Sequence, residues 1–272
     1  MTQEHGRASA GWLALREAAD AAARSTELVD ELRRQLPRDG LVVHDLGCGT
    51  GSMARWLAVR LSGPQHWVLV DRDVELLAVA AGSAPQRSLA GAPVTVETRH
   101  KDVTRLPPHE LGQAGLVTAS ALLDMMTGME LDRFVATVAG ARCPALIALS
   151  VTGHVDLEPP DRLDVRVAEA FNAHQRRSVE GHRLLGPDAV GRAVDAFTEL
   201  GREVVVRPSP WLLGPGQQDL QQQWLAGWLR AAREQDPRLT AEADAYARRR
   251  LAESAEGVLR VTVHHQDVLV RP

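Results

Sequence analysis

Residues 42–52, "VVHDLGCGTGS", decide the fold. An apolar run ends in an acid, Asp45, and opens directly into glycines at 47, 49 and 51. "LVVHD" reads as a short buried strand and "SMARWLAVRL" as the helix that follows. A strand, a glycine turn and a helix begin a parallel α/β unit, whose ligand sits at the turn. The spacing is G-x-G-x-G, one residue short of the dinucleotide fingerprint G-x-G-x-x-G, and Ser52 takes that fingerprint's last position. No Gly-Lys-Ser/Thr follows, so the turn is not a P-loop. Alone it leaves open a structural turn, a dinucleotide, a phosphate or a sulfonium cofactor.

Outward from the turn, strands alternate with helices. "HWVLVD", "PVTVETR", "GLVTAS" and "PALIALS" read as strands two to five, with helices at "DVELLAVAA" and "LLDMMTGMELDRFVATVAG". That alternation predicts a parallel sheet with right-handed crossovers. "EVVVRP" and "VLRVTVHHQDVLV" supply strands six and seven around the helix "PDAVGRAVDAFTELG". Residues 11–36 read as helix with a break at Ser25-Thr26, and 217–256 as helical with a cap and restart at Asp236-Pro237. The expected domain is one unit over 1–272: helices in 1–40, a cofactor half in 41–151, a lid insertion in 152–186, and a C-terminal half in 187–272 with a helical insertion at 209–257.

Two more acids narrow the turn's ligand. Asp71 ends strand two, where a carboxylate can accept from both hydroxyls of a ribose. Asp102 follows strand three, within reach of an exocyclic adenine amine. With Asp45 they fall at the ends of three successive parallel strands, the edge where open α/β sheets bind ligands. Any one alone reads as a solvated strand-end acid; three beside a glycine turn read as a nucleoside site.

On these residues the chain resembles the class I S-adenosylmethionine-dependent methyltransferases. "VVHDLGCGTGS" is similar to their first motif, "VLVDRD" to their second-strand acid and "KDV" to their adenine-contacting segment. The resemblance spans about 41–208 and 258–270. It implies an α/β fold: a seven-stranded, mostly parallel Rossmann-like sheet with strand seven antiparallel, helices on both faces and two mainly helical insertions. It also implies S-adenosyl-L-methionine as cofactor and S-adenosyl-L-homocysteine as product. By position, Gly47, Gly49 and Gly51 would meet the methionine part, Asp45 orient the turn, and Asp71 with neighbouring Arg72 hold the ribose. Asp102 and the backbone of Val103 would hold adenine. Ser120 and Ala121 would lie near the amino group and the reacting methyl. Arg16 or Arg24 would meet the carboxylate. "AFNAHQRR", "LLGPDAV" and "SPWLLG" resemble one bacterial subgroup to which no substrate attaches.

The acceptor is less legible. Enzymes of this class acting on amide or base nitrogens often carry Asn/Asp-Pro-Pro-aromatic after strand four, and "TASALLDMM" stands there instead. Asp124, one turn into the next helix, reads either as a base or as an acid favouring the helix dipole. His154, in a loop after strand five, reads as a base or as an exposed loop histidine. Leu163, Val167, Ala170, Phe171 and His174 share one helix face. His174 is therefore either a core histidine or, with Phe171 and Gln175, part of a lid presented to the acceptor. Arg177 flanks it as an anion clamp or a solvated helix end, and Trp211, on a proline-bounded loop, as an acceptor wall or a core anchor.

Composition sets the outer limits. The 272 residues carry a net charge of −4, and Lys101 is the single lysine among 31 basic residues, so no basic surface suggests nucleic acid. Two cysteines make no disulfide framework and, with the histidines, show no metal-ligand spacing, so no metal is expected. No apolar run reaches membrane length, and "MTQEHGRASAGW" lacks a signal peptide's apolar core, which predicts a cytoplasmic protein. The reading is methyl transfer to a small-molecule acceptor by a monomer or homodimer. The alternatives are a non-catalytic S-adenosylmethionine scaffold or sensor, and a nucleotide-dependent reductase.

Overall fold

Strand β1 (Leu41–Leu46) is buried along nearly its whole length, because helices cover the sheet on both faces. It belongs to a computed structural model that describes residues 8–179 and 181–272; residues 1–7, part of the stretch read as lacking a signal peptide, lie outside the described residues. Helices α1 (Ala10–Ala23) and α2 (Thr26–Arg33) precede it. They part where Ser25 accepts from the Leu28 N–H at 3.3 Å and caps α2, the break expected from the sequence.

After β1 come α3 (Ser52–Ala58), β2 (Gln65–Asp71), α4 (Val74–Gly82), β3 (Val94–His100), β4 (Leu116–Ser120), α5 (Gly128–Gly140) and β5 (Ala145–Glu158). Then follow α6 (Asp164–Gln175), a small hairpin of β6 (Ser178–Val179) and β7 (His182–Arg183), α7 (Ala189–Glu199) and β8 (Val204–Pro208). β9 (Trp211–Leu213), α8 (Gln218–Gln235), α9 (Thr240–Ala255) and β10 (Arg260–Val270) complete the order.

The main sheet runs β3-β2-β1-β4-β5-β10-β8. Its first five strands are parallel, and β10 is antiparallel to both its neighbours, β5 and β8. This is the expected arrangement with one addition: β9 pairs with Val261–Val263, making eight strands rather than seven. One face of the sheet packs under α2, α3 and α4 through Leu28, Leu32, Met53, Leu57 and Trp67; the other under α5 and α7 through Phe134, Val138 and Phe197. No helix among the described residues is long and apolar enough to cross a membrane.

Strand five is twice as long as the sequence suggested. It was expected to stop at Ser150, yet β5 continues to Glu158. At Leu149 the backbone turns to φ +55°, and its N–H donates to Asp267 Oδ1 at 2.8 Å. This irregularity resets which side chains face which way. Beyond it Leu157 is buried, with Val155 packed against the same core, while His154 and Asp156 face solvent. The continuation, with the first half of β10 and with β9, forms a stem under a helical cap. Val167, Ala170, Trp211, Leu225, Trp228 and Tyr246 make the cap's own core. The fully buried Arg250 ties α9 to α6 through both Asp164 oxygens (2.6 and 2.7 Å) and the Pro159 carbonyl.

Candidate active site

The glycine turn is fastened to β2 before any ligand is considered. The N–H groups of Gly47 and Cys48 both donate to the Val70 carbonyl, at 2.8 and 3.0 Å. Gly47, Gly49 and Gly51 all take left-handed conformations, with φ of +68°, +55° and +83°. At Gly47 the left-handed backbone favours glycine, and a Cβ, 2.9 Å from Leu122 Cδ1, would push the end of that side chain aside. Gly51 caps α3.

Asp71 closes the cradle. Its Oδ2 accepts the Gly49 N–H at 2.8 Å and its Oδ1 accepts the Asp73 N–H at 2.9 Å. The acid at the end of β2 therefore holds the turn after β1 and the start of α4 together, with lone pairs left for further donors. Arg72, beside it, is exposed, and its carbonyl meets His100 Nε2 at 3.0 Å. Asp102 is exposed after β3, accepts from the Thr104 N–H and hydroxyl, and so orders the turn that buries Val103.

Beneath the turn lie two buried ionisable groups, Asp45 and Arg24. Asp45 is 1% exposed; Thr118 Oγ1 donates to its Oδ1 at 2.7 Å, and its Oδ2 has no hydrogen-bond partner among the described residues. Burial pushes its carboxyl up to about 7, against the Thr118 bond and the Arg24 charge. Arg24, at the end of α1, is 2% exposed and donates from Nη2 to Ser52 Oγ (3.0 Å) and Ser120 Oγ (3.2 Å). Its Nε is orphaned, it has no carboxylate within ion-pair distance among the described residues, and burial lowers its pKa. Of the two arginines considered at the sequence level, Arg24 therefore stands at the turn. Arg16 forks onto Asp20 at 2.9–3.1 Å and lies 4.8 Å over the Trp211 ring.

Helix α1 lies across this edge. Arg55 of α3 forks onto Glu17 (2.7 and 2.6 Å), and Leu13 Cδ1 lies 3.2 Å from where a Gly49 Cβ would stand. Ser120 ends β4, and Ala121 takes φ +51°, a conformation alanine rarely adopts. Asp124 follows in a 3-10 turn, Leu123–Met125, rather than one turn into a helix as expected. The helix starts later because Thr127 and Glu130 form a capping box, and α5 opens at Gly128. Burial raises the Asp124 carboxyl, with the Arg16 charge opposing.

Among the described residues the remaining candidates share no hydrogen bond with this cluster. His154 is in strand β5 rather than a loop, exposed, with Nε2 3.1 Å from Asp156. His174 bridges α6 to α8 through Glu234 at 3.0 Å, and burial lowers its pKa. Phe171 packs into the cap core, and Arg177 turns back onto the His174 carbonyl at 3.2 Å. The Gln175 side chain packs at Gly186. Trp211 is in strand β9 rather than a loop, 2% exposed, and its indole N–H donates to Asp20 at 2.9 Å. Trp12, Asp20 and His265, which meet around Trp211, were missed because contacts of β9 with α1 and with β10 leave no local signal.

Residues 43–144 match the family model described as a methyltransferase domain. The likeness is to a methyltransferase domain. The match opens on β1 and ends before β5, so it contains the glycine turn, Asp71, Asp102, Ser120 and Asp124. Searching curated protein sequences finds no relative. Among solved structures, the cyclopropane synthase MmaA2 from Mycobacterium tuberculosis is 12% identical, over 90% of this chain and 83% of that one, with a TM-score of 0.46. The YcgJ protein from Bacillus subtilis is 12% identical, over 91% and 99%, at 0.49. A phosphoethanolamine N-methyltransferase 2 from Haemonchus contortus, solved with S-adenosyl-L-methionine, is 16% identical, over 91% and 53%, at 0.44. Outside the matched residues lie α1, α2 and everything from β5 onward, the stem and the cap included.

Proposed function

We propose that the protein transfers a methyl group from S-adenosyl-L-methionine to a small-molecule acceptor. The observation that carries the reading is the convergence of Asp45, Asp71 and Asp102 with the left-handed glycines on one sheet edge, inside the residues matched as a methyltransferase domain. The residues fit that cofactor. Arg24, a buried cation lacking a carboxylate, suits the amino-acid carboxylate, and the orphaned Asp45 Oδ2 suits its ammonium. Asp71 and Arg72 flank the ribose position, and Asp102 with the Val103 backbone flanks adenine. The short glycine spacing disfavours the nucleotide-dependent reductase.

When bound, the cofactor supplies an electrophilic methyl on a sulfonium. The chain's task is alignment and exclusion of water. Ser120 and strained Ala121 would shape the edge of the methyl position. Asp124, its basicity raised by burial, would take a proton where the acceptor carries one. His154 and His174 are already paired with Asp156 and Glu234, which favours Asp124 as the base. We assign residues 41–151 to the cofactor and 152–186 with 209–257 to shaping the acceptor space. Phe171, Gln175, Arg177 and Trp211 then act by holding the cap in place.

The test is incubation with methyl-labelled cofactor and a small-molecule extract. Label should enter an extractable small molecule, and Asp124→Asn should cut that transfer at least tenfold while cofactor affinity stays within twofold. Label confined to protein or nucleic acid, or none at all, contradicts the reading.

A further inference from the structure

The stem of the cap carries a second constellation, far in sequence from the glycine turn. His154 and Asp156 are two residues apart on β5 and so project from the same face. His264 comes from β10, 108 positions after Asp156. The ladder pairs Val155 with Val263 and then Val151 with His265, so three β5 residues oppose His264 alone. Gly153 lies in that bulge with φ +78°, and Thr152 Oγ1 meets the His264 carbonyl at 3.2 Å. Asp156 pairs with Thr262, so His264, two residues further along β10, projects from the same face as Asp156 and His154.

The three side chains converge on one point. His154 Nε2 is 3.1 Å from Asp156 Oδ1, and His264 Nε2 is 2.7 Å from Asp156 Oδ2. One ligand-capable atom from each residue lies within 4.8 Å of the others, and the two rings are 4.6 Å apart. Donors bound to one ion at about 2 Å stand roughly 3 Å from each other, so little side-chain movement separates this arrangement from a coordination shell. The side chains are 65%, 54% and 36% exposed, which gives an aqueous ion direct access and leaves positions for water.

We infer that His154, Asp156 and His264 form a binding site for a divalent cation of the zinc class. Two imidazoles and one carboxylate on one side of the ion favour borderline transition cations over magnesium or calcium, whose shells are built from oxygen. The ion clamps the β5 bulge to β10 and thereby stiffens the stem on which the cap stands. The site departs from the metal-free expectation above. That expectation rested on spacing along the chain, and these ligands are assembled by strand register.

The experiment uses full-length, tag-free protein stripped with chelator and titrated with zinc chloride alone. Calorimetry and elemental analysis should find one zinc per chain. His154→Ala and His264→Ala should each weaken binding at least tenfold with unchanged circular dichroism, because all three side chains are accessible. Zinc should raise the melting temperature of the wild type and not of the double variant. Cobalt should give visible bands that both variants lose. No stoichiometric zinc, or affinity and cobalt spectra untouched by both substitutions, overturns the site.

Discussion

Asp45 joins the stability of the fold to the chemistry of its edge. It is enclosed by β1 and β4, its Oδ1 is satisfied by Thr118, and its Oδ2 is left without a donor. The ordinary carboxyl value of 3.8 rises to about 7. The folded protein thus keeps a proton that the unfolded chain releases between those values. Asp45's contribution is fully present below pH 3.8 and declines as pH climbs through 7. Asp45→Asn removes the titration. Its stability relative to wild type should therefore shift in its own favour between pH 5 and pH 8, as read by urea unfolding without cofactor. Parallel stabilities at the two pH values would show that Asp45 is ionised throughout. The sequence placed Asp45 at the turn, but the orphaned oxygen depends on Thr118, 73 positions away, and on Arg24 at the end of a helix assigned to no motif.

Among the elements, the turn from β1 into α3 was the most legible, because glycine spacing is a local signal of backbone conformation. Gly51 stands at φ +83° with Ala80 Cβ 3.1 Å from where its own Cβ would be. Gly51→Ala should cost about 2 kcal/mol, combining left-handed strain with pressure on α4. Chemical denaturation measures this, and a loss below about 0.5 kcal/mol would mean the turn relaxes into another conformation. Other elements were misjudged for identifiable reasons. β5 looked finished at Ser150 because the Leu149 irregularity and Gly153 interrupt its alternation, so "VTGHVDLE" reads as a polar loop. β9 is three residues between prolines and glycine, too short for any period. Asp124 was drawn into the helix because the capping box at Thr127 and Glu130 was overlooked, although its residues were plain in the sequence.

For the molecule as a whole, the strand order followed from the alternation of strands and helices, since parallel neighbours need a crossover and right-handed crossovers leave few topologies. What a chain-order reading does not carry is contact between distant elements. The approach of α1 to the turn through Glu17 and Arg55 is of that kind, as are the burial of Trp211 against Asp20 and the meeting of His154 with His264. The glycine turn and the parallel strands around it were therefore legible, whereas the packing of α1, α6 and the stem strands β5, β9 and β10 was not, because they meet from widely separated stretches of sequence. The central claim is that the carboxyl edge of the sheet holds S-adenosyl-L-methionine, with Asp71 as its anchor. Calorimetric titration of wild type and Asp71→Ala with that cofactor tests it most directly. One site per chain is predicted, weakened at least tenfold by the substitution, a loss of ~1.4 kcal/mol or more. No binding to the wild type, or equal affinity in the two proteins, would contradict it.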